Sequence, residues 1–188
     1  MVDHMNTRLK TFPILNIQWV DEKRFVEFWA ARYPTMNDSA YLSNIGQPLT
    51  RERLIALFEW KNGGPIAQHK LDSIQRNYID DSPVPPVPDD RGNLLAFIQQ
   101  AGGAIWRIFW LHCYDHLRYP IFDQHVYRSM CRLKDGHAAE IPTTNVAKAK
   151  AYVDQYLPFH ATLMYPDAKK IDEALWSYGK YLKEQNAL

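Results

Sequence analysis

Asp123 stands where a carboxylate can do chemistry. It follows the apolar run Tyr119-Pro120-Ile121-Phe122 and precedes Gln124-His125-Val126-Tyr127-Arg128, which has helical spacing. A short acceptor at that position caps the helix by taking backbone N–H groups of its open first turn. The positive end of the helix in turn keeps the carboxylate ionised. A fixed negative charge of this kind can stabilise positive charge developing on a substrate, and can orient or deprotonate an attacking water. Capping and chemistry do not compete for this side chain.

Other groups with chemical potential carry weaker patterns. His112 and His116 lie four apart on one predicted helix, a spacing that can present two imidazoles to a metal. No glutamate follows His112, so the zinc-protease pattern fails, and we expect neither a metal nor a cofactor. Cys113 and Cys131 sit in apolar helical context and read as buried reduced thiols. Trp106 and Trp110 are four apart, with Ile105 and Phe109 beside them, the spacing of a core-facing stripe. Trp60 precedes the Gly63-Gly64 turn. His125 and Arg128, one helical turn apart, read as groups that brace their surroundings by hydrogen bonds.

The segment Pro120-Ile121-Phe122-Asp123-Gln124-His125-Val126-Tyr127-Arg128 resembles the P-I-x-D-x-x-V-x-R segment of the helix-hairpin-helix DNA glycosylases, endonuclease III and the adenine glycosylases in particular. Asp90-Arg91-Gly92-Asn93-Leu94-Leu95-Ala96-Phe97-Ile98 resembles the helix that leads into that family's hairpin. The hairpin itself reads Gln99-Gln100-Ala101-Gly102-Gly103 where the family has L-P-G-V-G, so Leu, Pro and the first Gly are missing. The resemblance spans Asp90 to Arg132.

The resemblance implies an all-α fold of two helical lobes with a helix-hairpin-helix unit, double-stranded DNA as partner, and hydrolysis of an N-glycosidic bond. Asp123 would be the catalytic residue, stabilising the oxocarbenium character of the sugar as the base departs. Gly102 and Gly103 would form the hairpin turn, whose backbone N–H groups hold a DNA phosphate. Arg107 and Arg128 are candidate DNA-binding cations in a mildly basic stretch. An enzyme acting on a base must extrude and stack it, and Trp60, Trp106, Trp110 and His125 are the candidates for that pocket. Family members that also cut the strand carry a lysine two residues after the last hairpin glycine. Here that position is Ile105, which cannot form a Schiff base. The implied enzyme is therefore monofunctional and leaves an abasic site; a lysine from elsewhere, such as Lys61 or Lys70, could restore strand cleavage, but nothing in the sequence argues for it. Two cysteines exclude the four-Cys iron–sulfur cluster of some members. The degenerate hairpin leaves a second reading open, a DNA-binding protein of the same architecture without catalysis. The base itself stays open: damaged, mismatched or modified.

The elements that must position these residues are helical almost throughout. Asp21 caps a predicted helix with Phe25, Phe28, Trp29 and Tyr33 on its apolar side, ended by Pro34. Thr50 caps a second with Leu54, Ile55, Leu57 and Phe58, stopped by Gly63-Gly64-Pro65. Further helices are expected over Gln68–Ile79, Asn93–Gln100, Ala104–His116 and Gln124–Lys134. Thr144 caps another, with Val146, Ala149, Tyr152, Val153 and Tyr156 inward. The last starts at Pro166 and repeats Ile171, Leu175, Tyr178 and Leu182; its residues Lys169, Lys170, Asp172, Glu173, Lys180, Lys183 and Glu184 read as a solvated face. Phe12–Val20 is the best strand candidate. The prolines of residues 81–90 forbid helix and favour a stiff connector ahead of the hairpin and catalytic segment, residues 90–135.

With 188 residues, 46% of them hydrophobic, the chain can form one compact unit, divided at most into two lobes. The net charge of +1 is small for a nucleic-acid binder, so any DNA contact must rest on local charge. No run is long and apolar enough to span a membrane and no signal peptide is visible, so a cytoplasmic monomer is expected. Val2-Asp3-His4-Met5 has the form of a cloning remnant before a native start at Met5.

Overall fold

A computed structural model describes residues 21–34, 38–80, 83–86 and 90–185. Ten α-helices and no strand occur among them: α1 (Glu22–Ala30), α2 (Asp38–Leu42), α3 (Arg51–Asn62), α4 (Gln68–Ile74), α5 (Arg91–Ile98), α6 (Ala104–Tyr114), α7 (Gln124–Asp135), α8 (Asn145–Lys150), α9 (Leu157–His160) and α10 (Ala168–Gln185). Gln75–Asp80 extends α4, and Ala151–Tyr156 joins α8 to α9, both as π-helical turns. The all-α expectation holds. The strand candidate Phe12–Val20 and the proposed start at Met5 lie outside the described residues. Pro83–Pro86 is free of helix, as its prolines require, and the flanking positions 81–82 and 87–89 lie outside the described residues.

Local chemistry sets the helix boundaries. Asp21 accepts the Arg24 N–H at 2.8 Å, Thr50 the Arg53 N–H at 3.3 Å, and Thr144 the Ala147 N–H at 3.2 Å. Gly63 ends α3 in the left-handed region at φ 78°, which a glycine adopts without a Cβ penalty. Four expectations shift. Asp90 accepts the Asn93 N–H at 2.9 Å, so α5 starts at Arg91. Asp115 leaves helical geometry and its carboxylate takes the Arg118 N–H at 3.2 Å, so α6 stops at Tyr114. Pro166, expected in the first turn of the last helix, lies ahead of it: α10 starts at Ala168, with Asp167 accepting the Lys170 N–H at 3.2 Å. Val146 is exposed, because the buried face of α8 is carried by Ala149.

Buried side chains from across the helices form one continuous apolar cluster. α10 packs along α7 and α1, α6 contacts α5 and α8, and α2 lies on α3. Phe25 of α1 meets Tyr178 of α10 edge-on at 5.3 Å between centroids, and Phe58 of α3 stacks on Trp106 of α6 at 5.3 Å. Gly179 is what lets α10 approach α7: a Cβ there would collide with the His125 backbone carbonyl. Across the same contact Arg128 donates to the Gly179 carbonyl at 3.0 Å and grips Glu140 through both carboxylate oxygens at 2.8 and 2.9 Å.

Candidate functional site

Three distant parts of the chain converge on one cleft of about 410 Å³. The last turn of α3 brings Trp60, Lys61 and Asn62, held in place by the Gly63 stop. The extended segment before α7 brings Ile121 and Asp123. The first turns of α10 bring Lys169, Asp172, Glu173 and Trp176, whose spacing puts all four on one helix face. Tyr33 and Pro34, just after α1, and Tyr41 of α2 complete the walls.

Asp123 caps α7 as its sequence position predicts. Its Oδ1 accepts the N–H groups of His125 at 2.8 Å and Val126 at 3.0 Å. Its Oδ2 takes Lys61 Nζ at 3.1 Å, and the two side chains are only 17% and 12% exposed. Burial alone pushes the Asp123 carboxyl up, but the Lys61 charge and the Val126 N–H outweigh it and hold the pKa below the usual carboxylate value. Asp123 is thus a fixed anion facing the cleft, with one oxygen committed to the helix and the other to a lysine.

Aromatic rings form much of the remaining wall. Tyr41 packs against Trp60 with centroids 4.4 Å apart, and Tyr33 meets Trp176 edge-on at 5.3 Å. The Tyr41 hydroxyl lies 2.8 Å from His112 Nε2, while His112 Nδ1 lies 2.8 Å from the Tyr119 carbonyl. Nδ1–H must donate to that carbonyl, so Nε2 accepts from the tyrosine. Burial drives His112 down to about 3, so it stays neutral and orients Tyr41. Both of its nitrogens are thereby occupied, and it makes no pair of ligands with His116. Burial and neighbouring carboxylates, Asp172 before Asp38 at Tyr41 and Asp38 first at Tyr33, keep both tyrosine hydroxyls protonated. Lys169 binds Asp38 at 3.0 Å and also Glu173, with its ammonium 5.4 Å from the ring centroids of both Tyr33 and Tyr41.

The structure distributes the sequence candidates unevenly. Asp123 and Trp60 both line the cleft. His125 stands behind it, edge-on to Trp176 at 5.0 Å and 3.3 Å from the Arg128 guanidinium. Trp106 stacks on Phe58, and Trp110 is buried against Phe97 and Tyr114, so both serve the core. Arg107 and Arg128, expected on a DNA face, are interior groups. Arg107 is 6% exposed, donates to the Ala101 carbonyl and lies over the Tyr78 ring; Arg128 is 1% exposed and tied to α10 and Glu140. Neither guanidinium reaches a phosphate in this arrangement. Gly102 and Gly103 do form the turn between α5 and α6, at φ 102° and 91°. A Cβ on Gly102 would strike the Tyr78 hydroxyl, and the first N–H of α6, that of Ala104, goes to the Asn145 side chain at 3.3 Å.

Sequence reasoning named Lys61 only as a lysine that could restore strand cleavage, and missed Tyr33, Trp176 and the polar stripe of α10 as parts of the site. The residues read as a solvated face include Lys169, Asp172 and Glu173; Lys169 is drawn inward by its ion pairs with Asp38 and Glu173 and lies by the rings of Tyr33 and Tyr41, and Asp172 is buried beside the Ile121 N–H. The usable signal was their 169, 172, 173, 176 spacing, an ordered polar face interrupted by tryptophan. No family model, curated protein or solved structure matches the chain at a significant level.

Proposed function

We propose that this chain is a DNA glycosylase that hydrolyses the N-glycosidic bond of a damaged, mismatched or modified base drawn out of duplex DNA, leaving an abasic site. The observation that carries this reading is the cleft itself: an ionised, helix-capping carboxylate opening onto a space of base size with ring walls. A cleft of a few hundred Å³ lined mainly by apolar and aromatic groups with a few polar ones suits a flat heterocycle. Trp60, Tyr41, Tyr33 and Trp176 offer stacking and edge contacts, and Asp123 lies at their border, where the sugar of the extruded nucleotide would sit. As the base departs, the sugar becomes cationic, and the fixed Asp123 charge stabilises it without reorganising. The helix-hairpin-helix resemblance of residues 90–132 supports the same assignment, with the α5–α6 turn as the part that meets the duplex.

One geometric fact favours a second outcome at this site. Lys61 carries an amine 3.1 Å from Asp123 on the cleft wall, on a different element from the position where Ile105 stands. If Asp123 takes its proton, that amine can attack C1′ of the sugar and displace the base, and the Schiff base formed as the sugar ring opens loses the 3′ phosphate by β-elimination, which cuts the strand. A single assay separates the outcomes: duplexes with a panel of damaged and modified bases, incubated with the wild type and Asp123→Asn, and resolved with and without alkali. Alkali-dependent breaks that fall at least about 100-fold in the variant are the expected result. Breaks without alkali, trapped by borohydride and lost in Lys61→Met, would overturn the monofunctional part. Salt-sensitive binding without release would leave a non-catalytic DNA binder.

A further inference from the structure

Asp172 and Trp176 of α10 line the cleft; one residue earlier in each turn, Ile171 and Leu175 line a second space of about 270 Å³. Phe25 of α1, Leu133 of α7, Phe159 of α9 and Leu163 just beyond it complete this groove. Its floor is buried, whereas Leu133 on the wall is 39% exposed and Met164, next to Leu163, is 83% exposed. Two carboxylates, Asp21 and Glu22, border it, and both are engaged. Asp21 takes the Arg24 N–H at 2.8 Å, and Glu22 Oε1 takes the N–H groups of Met164 and Tyr165, each at 2.7 Å. The Glu22 bonds tie α1 to the segment after α9, so the groove has a fixed shape. It offers an occupant apolar contact, and an exposed apolar recess of this kind calls for a cover.

The chain itself arrives at this rim. Residues 12–20, outside the described residues, join Asp21 through one peptide bond. They include no charged residue, and six of the nine are large and apolar: Phe12, Ile14, Leu15, Ile17, Trp19 and Val20. Leu15, Ile17 and Trp19 alternate with Asn16 and Gln18. In extended form such a run presents leucine, isoleucine and tryptophan on one side.

We propose that the groove is the seat of the chain's own residues 15–20, with Trp19 as the anchor that fills it. Trp19 is two residues from Asp21, so its Cα lies within about 7 Å of the rim. A tethered segment meets the groove at an effective concentration of order millimolar, an advantage that a separate partner with the same contacts does not have. Tryptophan also brings a large apolar area on few rotatable bonds. The absence of charge in the segment suits a groove whose bordering carboxylates already have their partners. So seated, the segment presses on Ile171 and Leu175 from outside. It thereby clamps the first half of α10, and with it Asp172 and Trp176, in place beside α7.

The test is a double-mutant cycle on the full chain, with Trp19→Ala, Leu163→Ala and the double variant compared by urea midpoint. Each single substitution should lower the midpoint by about 0.5 M or more. The double variant should fall little further than the lower single, because both changes remove one contact. Additive shifts, or no shift from Trp19→Ala, overturn the proposal. A second measurement leaves the groove intact: Trp19→p-benzoylphenylalanine is irradiated in the full chain and its crosslinks are mapped by mass spectrometry. Crosslinks to Leu133, Phe159 or Leu163 within a single chain are the expected result. Crosslinks to those residues between two chains make a second copy the occupant and overturn the proposal. Crosslinks elsewhere, or none, overturn it as well. Neither measurement involves DNA, so the outcome is independent of the glycosylase reading.

Discussion

Lys61 and Asp123 show how a single ion pair can serve both stability and chemistry. Removing the lysine leaves a nearly buried carboxylate with only its two backbone N–H donors. Lys61→Met should cost about 3 kcal/mol in urea unfolding, in the range for a buried pair that loses one partner. The native pair depresses the Asp123 pKa, so its stabilisation is present above the carboxyl's unfolded value and is lost as pH falls through the lower native one. Without Lys61 that native value rises, and the acid limb of base release should move to higher pH; an unmoved limb would show that the lysine does not set the charge state of Asp123. His112 carries the opposite chemistry with the same direction of effect. The unfolded chain protonates this imidazole below about 6.5, whereas the fold resists until about 3. Stability should therefore drain as pH falls between those values, and His112→Gln should flatten that slope in paired thermal melts.

Among the elements, the meeting of α7 with α10 decides whether the cleft exists. The first turn of α7 holds Asp123, the first half of α10 holds Asp172 and Trp176, and Gly179 sets their separation. Gly179→Ala forces a methyl into the His125 carbonyl. It should cost about 3 kcal/mol, at the upper end for overpacking, and should weaken base release beyond the loss of folded protein. A variant that melts like the wild type would mean that the helices can part without strain. The sequence makes these elements legible through local chemistry: Asp21, Thr50, Asp123 and Thr144 each cap the helix that their position predicts. It does not make their pairing legible. Helical spacing tells that Lys169, Asp172 and Glu173 share a face, but not that Tyr33, Tyr41 and Lys61 close over it. Arg107 and Arg128 mislead for the same reason, since a guanidinium reads as surface until Tyr78, Gly179 and Glu140 are seen around it. Trp60 and Trp106 cannot be told apart by spacing; only the packing of α3 against α6 sends one to the cleft and the other to Phe58.

At the scale of the whole molecule, positive and negative charge nearly balance. The net charge is +1, and Lys61, Lys169, Arg91 and Arg128 are all paired with carboxylates. A duplex bound at the cleft meets lysines that are already paired with carboxylates. Its affinity should fall with salt at a log–log slope no steeper than about −4, corresponding to about four neutralised phosphates. A slope near −8, measured by anisotropy on a duplex with an abasic analogue, would show a contact that reaches well beyond the cleft.

The order of the chain gives the cleft a history during synthesis. Asp123 emerges from the ribosome with α7, but its facing wall arrives only with α10, about 50 residues later. At ordinary elongation rates of about 5–20 residues per second, the nascent chain carries an unwalled carboxylate for some 2–10 seconds. Until α10 docks at Gly179, neither Trp176 nor Asp172 is in place opposite Asp123. The cleft is thus completed only once α10 is made, and a chain stalled before that point carries Asp123 without its facing wall.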